Sequence, residues 1–245
     1  MLTNAGSHLF TACLADSLEQ DYTEALYLYK VHKFDFSIWI VAFFSTMFLG
    51  VEIGLGTAVG VSLLIVIYES VYPRTAVLGR LTGTSLYRNI KQYPTSTEQY
   101  DGLVIVRIDS PLYFANAQNI RDKVRKYKRN ATEELKKRHC DANAEVSTAP
   151  AGSVVEYIIL DLSPVSHMDT TGLHVLEDMH ATQKREGVTI CFCNPNMTVI
   201  TRLVRSGLVD SIGHEFFFPS VIDAVQWCLT QMDGKEDACV PERSV

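Results

Sequence analysis

The stretch YIILDLSPVSHMDTTGL, residues 157–173, decides the fold. Tyr157–Leu162 is an apolar run broken by one Asp, which is typical of a strand buried on both faces. The polar segment after it ends in the tetrapeptide DTTG, residues 169–172. Apolar residues then recur at helical spacing, at Leu173, Leu176 and Met179. The stretch therefore predicts a buried strand, a turn and a helix that ends near Gly187.

The DTTG turn is the candidate functional site. Asp169, Thr170 and Thr171 stand where the helix begins, and backbone N–H groups there lack partners within the helix. A carboxylate or a phosphate group is favoured at that position, and Gly172 lets a partner approach the backbone closely. A hydroxyl group in such a turn is accessible to a kinase, and phosphorylation adds up to about two negative charges. The alternative is a purely structural role, with Asp169 as the helix cap.

Short apolar runs alternate with helical patterns on both sides of this stretch. Further strands are predicted at Leu103–Ile108, Val188–Phe192 and Glu215–Phe218, and a helical pattern follows each strand. Such alternation produces a mainly parallel sheet covered by helices. An additional strand over Ser85–Ile90 is expected at an edge of the sheet. The predicted fold class is therefore α/β, with a mainly parallel sheet and flanking helices.

Capping residues predict where two of the later helices begin. Asn194 is expected to cap a helix that has Pro195 at its first position. The residues of this helix expected to face inward are Val199, Leu203 and Val204. Ser220 and Asp223 form a start similar to a capping box for a last helix over Val221–Leu229.

A long apolar segment precedes this domain. Phe36–Tyr68 contains Glu52 as its single charged residue. One straight helix of this length would extend about 50 Å, whereas the hydrocarbon core of a bilayer is about 30 Å thick. Glycines at 50, 54 and 56 mark a turn in the middle. We therefore predict a short membrane-inserted hairpin over residues 36–72, with a buried helical hairpin in a soluble core as the alternative.

Basic residues flank the apolar segment on both sides, at Lys30, Lys33, Arg74, Arg80 and Arg88. Because basic flanks favour the cytosolic side, both ends are expected there, and the chain then crosses the membrane an even number of times. This predicts a multi-pass integral membrane chain whose α/β domain faces the cytosol. Residues 1–35 form an N-terminal segment in which residues 21–33 have the pattern of an interfacial helix.

One segment interrupts the α/β pattern. Residues 126–152 are predicted to extend the preceding helix and then to form a flexible insertion from Asp141. A flexible tail is expected at residues 233–245. Nine Lys or Arg residues and three Asp or Glu residues between Arg121 and His139 give a net charge of +6. Such a surface suits a membrane lipid or an acidic partner, or is simply a solvated helix face.

Composition excludes several classes of protein. With 22 basic and 28 acidic residues the chain is acidic overall, which disfavours a nucleic-acid partner. The sequence contains neither a paired C-x-x-C unit nor a Gly-rich phosphate loop, so no metal and no cofactor is predicted. Cys191 and Cys193 are interpreted as buried apolar residues. No set of acid, base and nucleophile is recognisable, so the chain is not expected to be an enzyme and no catalytic residue is assigned.

The turn and the order of elements resemble a STAS domain, a module shared by sulfate transporters and anti-sigma factor antagonists. In the bacterial antagonists the turn reads Asp-Ser-Ser-Gly and its first Ser is the phosphoacceptor. The resemblance therefore implies that Thr170 is the phosphoacceptor, with Asp169, Thr171 and Gly172 as motif neighbours. Both Ser positions are Thr in this chain. The implied STAS domain covers residues 84–232, and residues 126–152 correspond to its variable insertion.

The sequence VLGRLTGTSLYRNIKQYP, residues 77–94, and the segment after it resemble the join between the membrane helices and the STAS domain of SulP-family sulfate transporters of plant and algal type. The resemblance implies the last membrane helices of an anion transporter, without the region that binds the anion. Implied partners are the transporter's membrane core or a second copy, and a kinase or cytosolic regulatory protein. The alternative is a standalone membrane-tethered binding module regulated by phosphorylation.

Overall fold

The computed structural model describes residues 23, 25–142 and 155–238. The chain divides into two compact units, one that ends at Ser70 and one that begins at Val71. The described part of the first unit is helical, and the second unit is an α/β domain.

The helical unit contains the predicted hairpin. Helix α1 (Lys33–Leu49) and helix α2 (Val51–Val71) are separated by Gly50, whose φ of 87° lies in the left-handed region that favours glycine. Within the described residues, α2 is the one helix that is long and apolar enough to cross a membrane. The apolar side chains of Phe48 and Val51 are each 75% exposed, so this surface requires lipid or protein around it. The predicted helical hairpin is confirmed, and α2 fits a short membrane-inserted segment.

The two helices approach closely at Gly54. A Cβ atom at this position would lie 2.4 Å from Thr46 Cγ2 and 2.6 Å from Thr46 Cα. Small residues allow such approaches between membrane helices, where backbone-to-backbone packing replaces the hydrophobic effect. Gly54 therefore permits the packing of α1 against α2, in addition to its predicted place near the turn.

The sheet of the second unit has seven strands. They are β1 (Thr75–Leu81), β2 (Tyr87–Asn89), β3 (Thr97–Glu98), β4 (Leu103–Ile108), β5 (Tyr157–Asp161), β6 (Thr189–Cys193) and β7 (Phe217–Phe218). The order across the sheet is β2-β1-β4-β5-β6-β7, and β3 pairs with β1. Strands β4 to β7 run parallel, and the pairs of β1 are antiparallel. The mainly parallel sheet and the edge strand within Ser85–Ile90 are confirmed.

Within the described part of this unit, five α-helices accompany the sheet. They are α3 (Phe114–Ala142), α4 (Thr170–Arg185), α5 (Met197–Arg205), α6 (Leu208–Ile212) and α7 (Val221–Ala238). One face of the sheet packs against α3 to α6 and the other against α7. Residues buried in the first layer include Val106, Leu160 and Leu176, and those in the second include Ile159 and Val225.

Several boundaries differ from the prediction. The sheet already begins at Thr75, before the expected domain start at residue 84, because β1 pairs with β4. A single turn of 3₁₀-helix, His214–Phe216, occupies the first part of the expected strand Glu215–Phe218. Helix α7 continues to Ala238, into the stretch expected to be a tail.

The start of α5 also differs from the prediction. Asn194 has a φ of 50°, and its N–H donates to Phe218 O, so it ends the strand instead of capping the helix. Asn196 is the cap, and its side chain accepts from Thr198 N. Val199 and Leu203 are fully buried as expected, but Val204 is 53% exposed. Capping residues Ser220 and Asp223 bond to each other and begin α7 as predicted.

Other predictions fall partly on residues that the structure does not describe. Residues 25–31 are helical, in agreement with a helix before the hairpin, and its interfacial position stays a prediction. The first part of the insertion extends α3 to Ala142 as expected. The expected flexible segment from Asp141 lies mostly outside the described residues, as do residues 239–245 of the expected tail.

Truncation of a core residue tests this packing. Leu176 on α4 has no exposed surface, so Leu176→Ala leaves a cavity and is expected to lower the free energy of unfolding by about 2–5 kcal/mol. The measurement is urea unfolding of the full chain in detergent micelles. A Trp39→Phe background makes Trp227 the reporter of the α/β unit, because the chain has two Trp residues. The matched control Leu86→Ala, at a position 54% exposed, is expected to change stability by less than about 0.5 kcal/mol.

Candidate functional site

The DTTG turn lies at the carboxyl end of the parallel strands, between β5 and α4. It is fixed by a bridge to the loop that precedes α3, where Leu112 N donates to His167 O at 2.9 Å and Asp169 N donates to Leu112 O at 3.0 Å. These bonds satisfy backbone groups that the ladder of the sheet leaves free. The loops after two neighbouring strands, β4 and β5, are thereby held together.

Asp169 caps two helices with one carboxylate. Its Oδ1 accepts from Gly172 N at 2.7 Å, in the first turn of α4. Its Oδ2 accepts from Phe114 N at 2.8 Å, at the first residue of α3. Both bonds are charge-assisted, and both helix dipoles favour a negative charge at this place. The capping role of Asp169 is thus present in the structure, and no local sequence pattern indicates its second partner, Phe114.

Gly172 is required by a close contact. A Cβ atom there would meet Met168 Cγ at 3.0 Å, Leu112 Cβ at 3.1 Å and Leu112 O at 3.2 Å. The open space predicted at Gly172 is therefore filled by the chain's own loop. The residue serves the packing of the two loops rather than the approach of an external group to the backbone.

Thr170 and Thr171 are exposed at the first two positions of α4. Thr170 borders a groove of about 100 Å³ between the start of α4 and the junction of α5 and α6. The other residues of this groove are Leu173, His174, Glu177, Ser206, Gly207, Leu208 and Ser211. We call it the α4–α6 groove. The hydroxyl group of Thr170 is thus accessible to solvent beside a small concave surface.

Arg202 of α5 brings a positive charge to the same turn. Its guanidinium group donates to Met168 O and lies 3.4 Å from Nε2 of His167. On the other side, His174 and Glu177 of α4 approach each other at 3.6 Å. The sequence did not point to Arg202, because α5 follows a different strand and only the fold brings it to the turn.

Several basic residues between Arg121 and His139 pair with acidic or polar side chains of the same domain. Arg121 pairs with Asp178 at 2.6 Å, Lys128 bonds to Glu186 and to Gln183, and Arg138 pairs with Asp101 at 3.3 Å. Such pairs reduce the positive charge offered to an external anion. They favour the interpretation of a solvated helix face over that of a lipid-binding surface.

No group of three or more His, Cys, Asp or Glu side chains that could hold a metal ion occurs in the part of the chain that the structure describes. Cys191 and Cys193 have no exposed surface and pack in the core, in agreement with their interpretation as buried apolar residues.

Fold and site together define a class of protein: a small α/β domain that presents a capped, hydroxyl-bearing turn at the start of a helix. The family model for the STAS domain matches residues 94–224, more than half of the chain. The chain belongs to the STAS domain family.

The chain is also similar to plant sulfate transporters, as the sequence predicted. It is 44% identical over 219 residues to Sulfate transporter 4.1, chloroplastic, of Arabidopsis thaliana, covering 89% of this chain and 30% of that protein. It is 37% identical over 198 residues to High affinity sulfate transporter 2 of Stylosanthes hamata, covering 81% of this chain and 28% of that protein. The chain thus spans less than a third of the length of these curated relatives. Their names describe transporters, in agreement with the prediction that the chain is not an enzyme.

Solved structures give the same relationship. The structure of SLC26A9 superposes with a TM-score of 0.69 at 28% identity, covering 91% of this chain and 34% of that one. The murine Slc26a9 anion transporter in the inward-facing state gives a TM-score of 0.66 at 29% identity, covering 88% and 31%. The similarity therefore includes residues outside the STAS match.

Removal of the shared cap tests the role of Asp169. Asp169→Ala deprives the N–H groups of Gly172 and Phe114 of their acceptor, and we expect a loss of about 2 kcal/mol in the free energy of unfolding. Amide hydrogen exchange should become faster at both residues. The matched control Asp122→Ala removes an exposed carboxylate of α3 and should leave both amides protected. Unchanged exchange at Phe114 would contradict the double cap.

A larger side chain at Gly172 tests the close contact. Gly172→Val places atoms against Met168 and Leu112, so it is expected to destabilise the domain by about 1–3 kcal/mol in the same urea measurement. The neighbouring change Thr171→Val introduces the same residue type at an exposed position and should cost less than about 0.5 kcal/mol. Equal effects of the two changes would show that the contact is unimportant.

Proposed function

We propose that this chain is the regulatory and docking STAS domain of a sulfate transporter, together with the final membrane helices. The observation that carries the proposal is the similarity to sulfate transporters over 89% of the chain, which includes both the hairpin and the α/β domain. The parent protein would carry out secondary active sulfate transport across a membrane. Because the chain spans 30% of that relative, the anion site would belong to another part of the parent. The STAS domain would face the cytosol.

In this proposal Thr170 is the phosphoacceptor. Its exposed position and the absence of a required packing role support the assignment, and the Asp169 carboxylate next to it is held by two backbone N–H groups. A kinase would add a phosphoryl group beside an existing negative charge. Thr171 is the second hydroxyl of the motif, and Gly172 maintains the shape of the turn.

Phosphorylation would act on docking through charge and hydration. The α4–α6 groove beside Thr170 contains the apolar residues Leu173 and Leu208 and the acidic residue Glu177. A phosphoryl group there adds up to about two negative charges to a surface that already has Glu177 and Asp169 nearby. A partner with an apolar or acidic contact surface would be repelled. The partner would be the membrane core of the transporter, a second copy, or a cytosolic regulatory protein.

A standalone membrane-tethered binding module is the second candidate. It is favoured by the turn itself, whose geometry is complete within this chain and needs no residue from a transporter core. In that case the DTTG turn would switch between protein partners on phosphorylation, similar to anti-sigma factor antagonists. The two candidates differ in whether the chain supports sulfate transport when joined to a membrane core.

A chimera tests the leading proposal. The corresponding C-terminal part of Sulfate transporter 4.1 of Arabidopsis thaliana is replaced by this chain, and uptake of labelled sulfate is measured in vesicles. We expect uptake well above that of the truncated transporter. Thr170→Glu should lower the uptake rate about threefold because the added charge weakens docking. Thr171→Glu is the matched control, with the same charge one residue away from the assigned position, and should have a smaller effect.

Two results would contradict the proposal. One is a chimera that takes up no more sulfate than the truncated transporter although it is present in the vesicles. The other is an equal response to Thr170→Glu and Thr171→Glu. Mass spectrometry after treatment with a cytosolic extract and ATP should find the phosphoryl group on Thr170.

The chain alone is not expected to transport. Reconstituted vesicles that contain only this chain should take up sulfate at the rate of protein-free vesicles. Uptake above that rate would show that the anion site is formed within these 245 residues.

A further inference from the structure

Two buried cysteines from distant parts of the chain are in contact. Cys191 of β6 and Cys228 of α7 are separated by 37 residues in sequence, and their Sγ atoms lie 3.9 Å apart. Neither has any exposed surface. They lie in the core layer on the side of the sheet opposite α4, so the proposed role of Thr170 does not involve them.

The contact places two thiol groups side by side. A disulfide needs an S–S distance of about 2.05 Å, so the two sulfur atoms must approach by about 2 Å. Rotation about the Cα–Cβ bonds of two thiols already in contact can supply most of this movement. Cys193 is on the same face of β6 and is also buried, which makes it a matched internal control.

We propose that Cys191 and Cys228 are an oxidative modification site, where peroxide converts two thiols into a disulfide that fastens α7 to β6. In the first step a thiolate attacks one oxygen of hydrogen peroxide; the O–O bond breaks, and a sulfenic acid and hydroxide form. The hydroxide takes up the proton that the thiol released, which gives the first water molecule. In the second step the other thiol attacks that sulfur; the S–S bond forms, the S–O bond breaks and a second water leaves. Overall, two thiols and one hydrogen peroxide give one disulfide and two water molecules.

Access controls the rate of this reaction. The hydrogen bond to Cys228 and the burial of the thiol raise the pKa of Cys191. Since the thiolate is the reactive form, the closed domain protects both sulfur atoms from brief exposure to oxidant. Oxidation then requires local opening of α7, which packs against the sheet through Trp227 on Tyr157 and Phe218. The site therefore responds to sustained oxidation and not to brief exposure.

The disulfide would change the mobility of the last helix. It closes a loop of 37 residues and restricts the separation of α7 from the sheet. On the chain-entropy account of disulfide stabilisation, the midpoint of thermal unfolding of the α/β unit should rise by about 8–15 °C.

The experiment uses the full chain in detergent micelles. It is incubated with hydrogen peroxide at neutral pH, its remaining thiols are blocked, and it is digested without reductant. We expect a linked pair of peptides, one that contains Cys191 and Cys193 and one that contains Cys228, with a mass lower than the sum of the two by two hydrogen atoms. The linked pair should disappear on reduction.

Three single variants assign the sulfur atoms. Cys193→Ser should form the linked pair at the wild-type rate. In Cys191→Ser and Cys228→Ser the yield of the linked pair should fall at least tenfold. The thermal midpoint of each reduced variant is measured first, and Cys228→Ala replaces Cys228→Ser if the hydroxyl group prevents folding. A second measurement on the wild-type chain adds urea below the unfolding transition, which should accelerate formation of the linked pair by opening α7.

Three outcomes of these measurements would overturn the proposal. One is a wild-type chain in which Cys191 and Cys228 remain free thiols after prolonged oxidation while Met residues become oxidised. Another is a disulfide that joins Cys228 to Cys193, seen as loss of the linked pair in Cys193→Ser. A third is linkage of Cys228 to Cys13, Cys140 or Cys239 instead of Cys191.

Discussion

The carboxylate of Asp169 accepts the two hydrogen bonds on which the structure around the DTTG turn depends. The donors are N–H groups in the first turns of α3 and α4, and these helices follow the neighbouring parallel strands β4 and β5. Parallel strands place the starts of their helices at one edge, and those starts have unsatisfied donors and positive dipole ends. One negative charge between two such ends satisfies both. The exposed position of Thr170, the contact at Gly172 and the bridge from Leu112 to Met168 all follow from this arrangement.

This arrangement also explains why a phosphoryl group at Thr170 would have a large effect. The two helix starts already have their anion, so a new dianion adds repulsion to Asp169 instead of neutralising free donors. Arg202 bonds to the carbonyl group of Met168 and thereby places a cation at the turn. The response to phosphorylation would then depend on whether Arg202 leaves that carbonyl for the phosphate. In either case the surface of the α4–α6 groove changes in charge and hydration.

Much of the fold follows from local patterns, and the parts that do not are long-range. The apolar run at β5 and the helical spacing of Leu176 and Met179 predict their elements correctly, because burial on both faces leaves a strong signal. Strand β1 was not predicted because it follows directly on an apolar segment and its partner β4 lies later in the chain. Residue type alone does not distinguish Asn194 from Asn196, so the sequence predicts the wrong residue as the cap. The contacts of Phe114 and Arg202 with the turn depend on the assembled sheet, so no local pattern indicates them.

The two units differ in what they require from their surroundings. The α/β domain buries its apolar residues in two layers, and its turn is satisfied by its own side chains. Hairpin residues such as Phe48 and Val51 are largely exposed, and Gly54 is the single buried position of α2. Apolar helices of this kind are stable in a bilayer or against other helices, and a helix of 17 residues such as α1 is near the lower limit for crossing a bilayer. The hairpin therefore depends on neighbours that the α/β domain does not need.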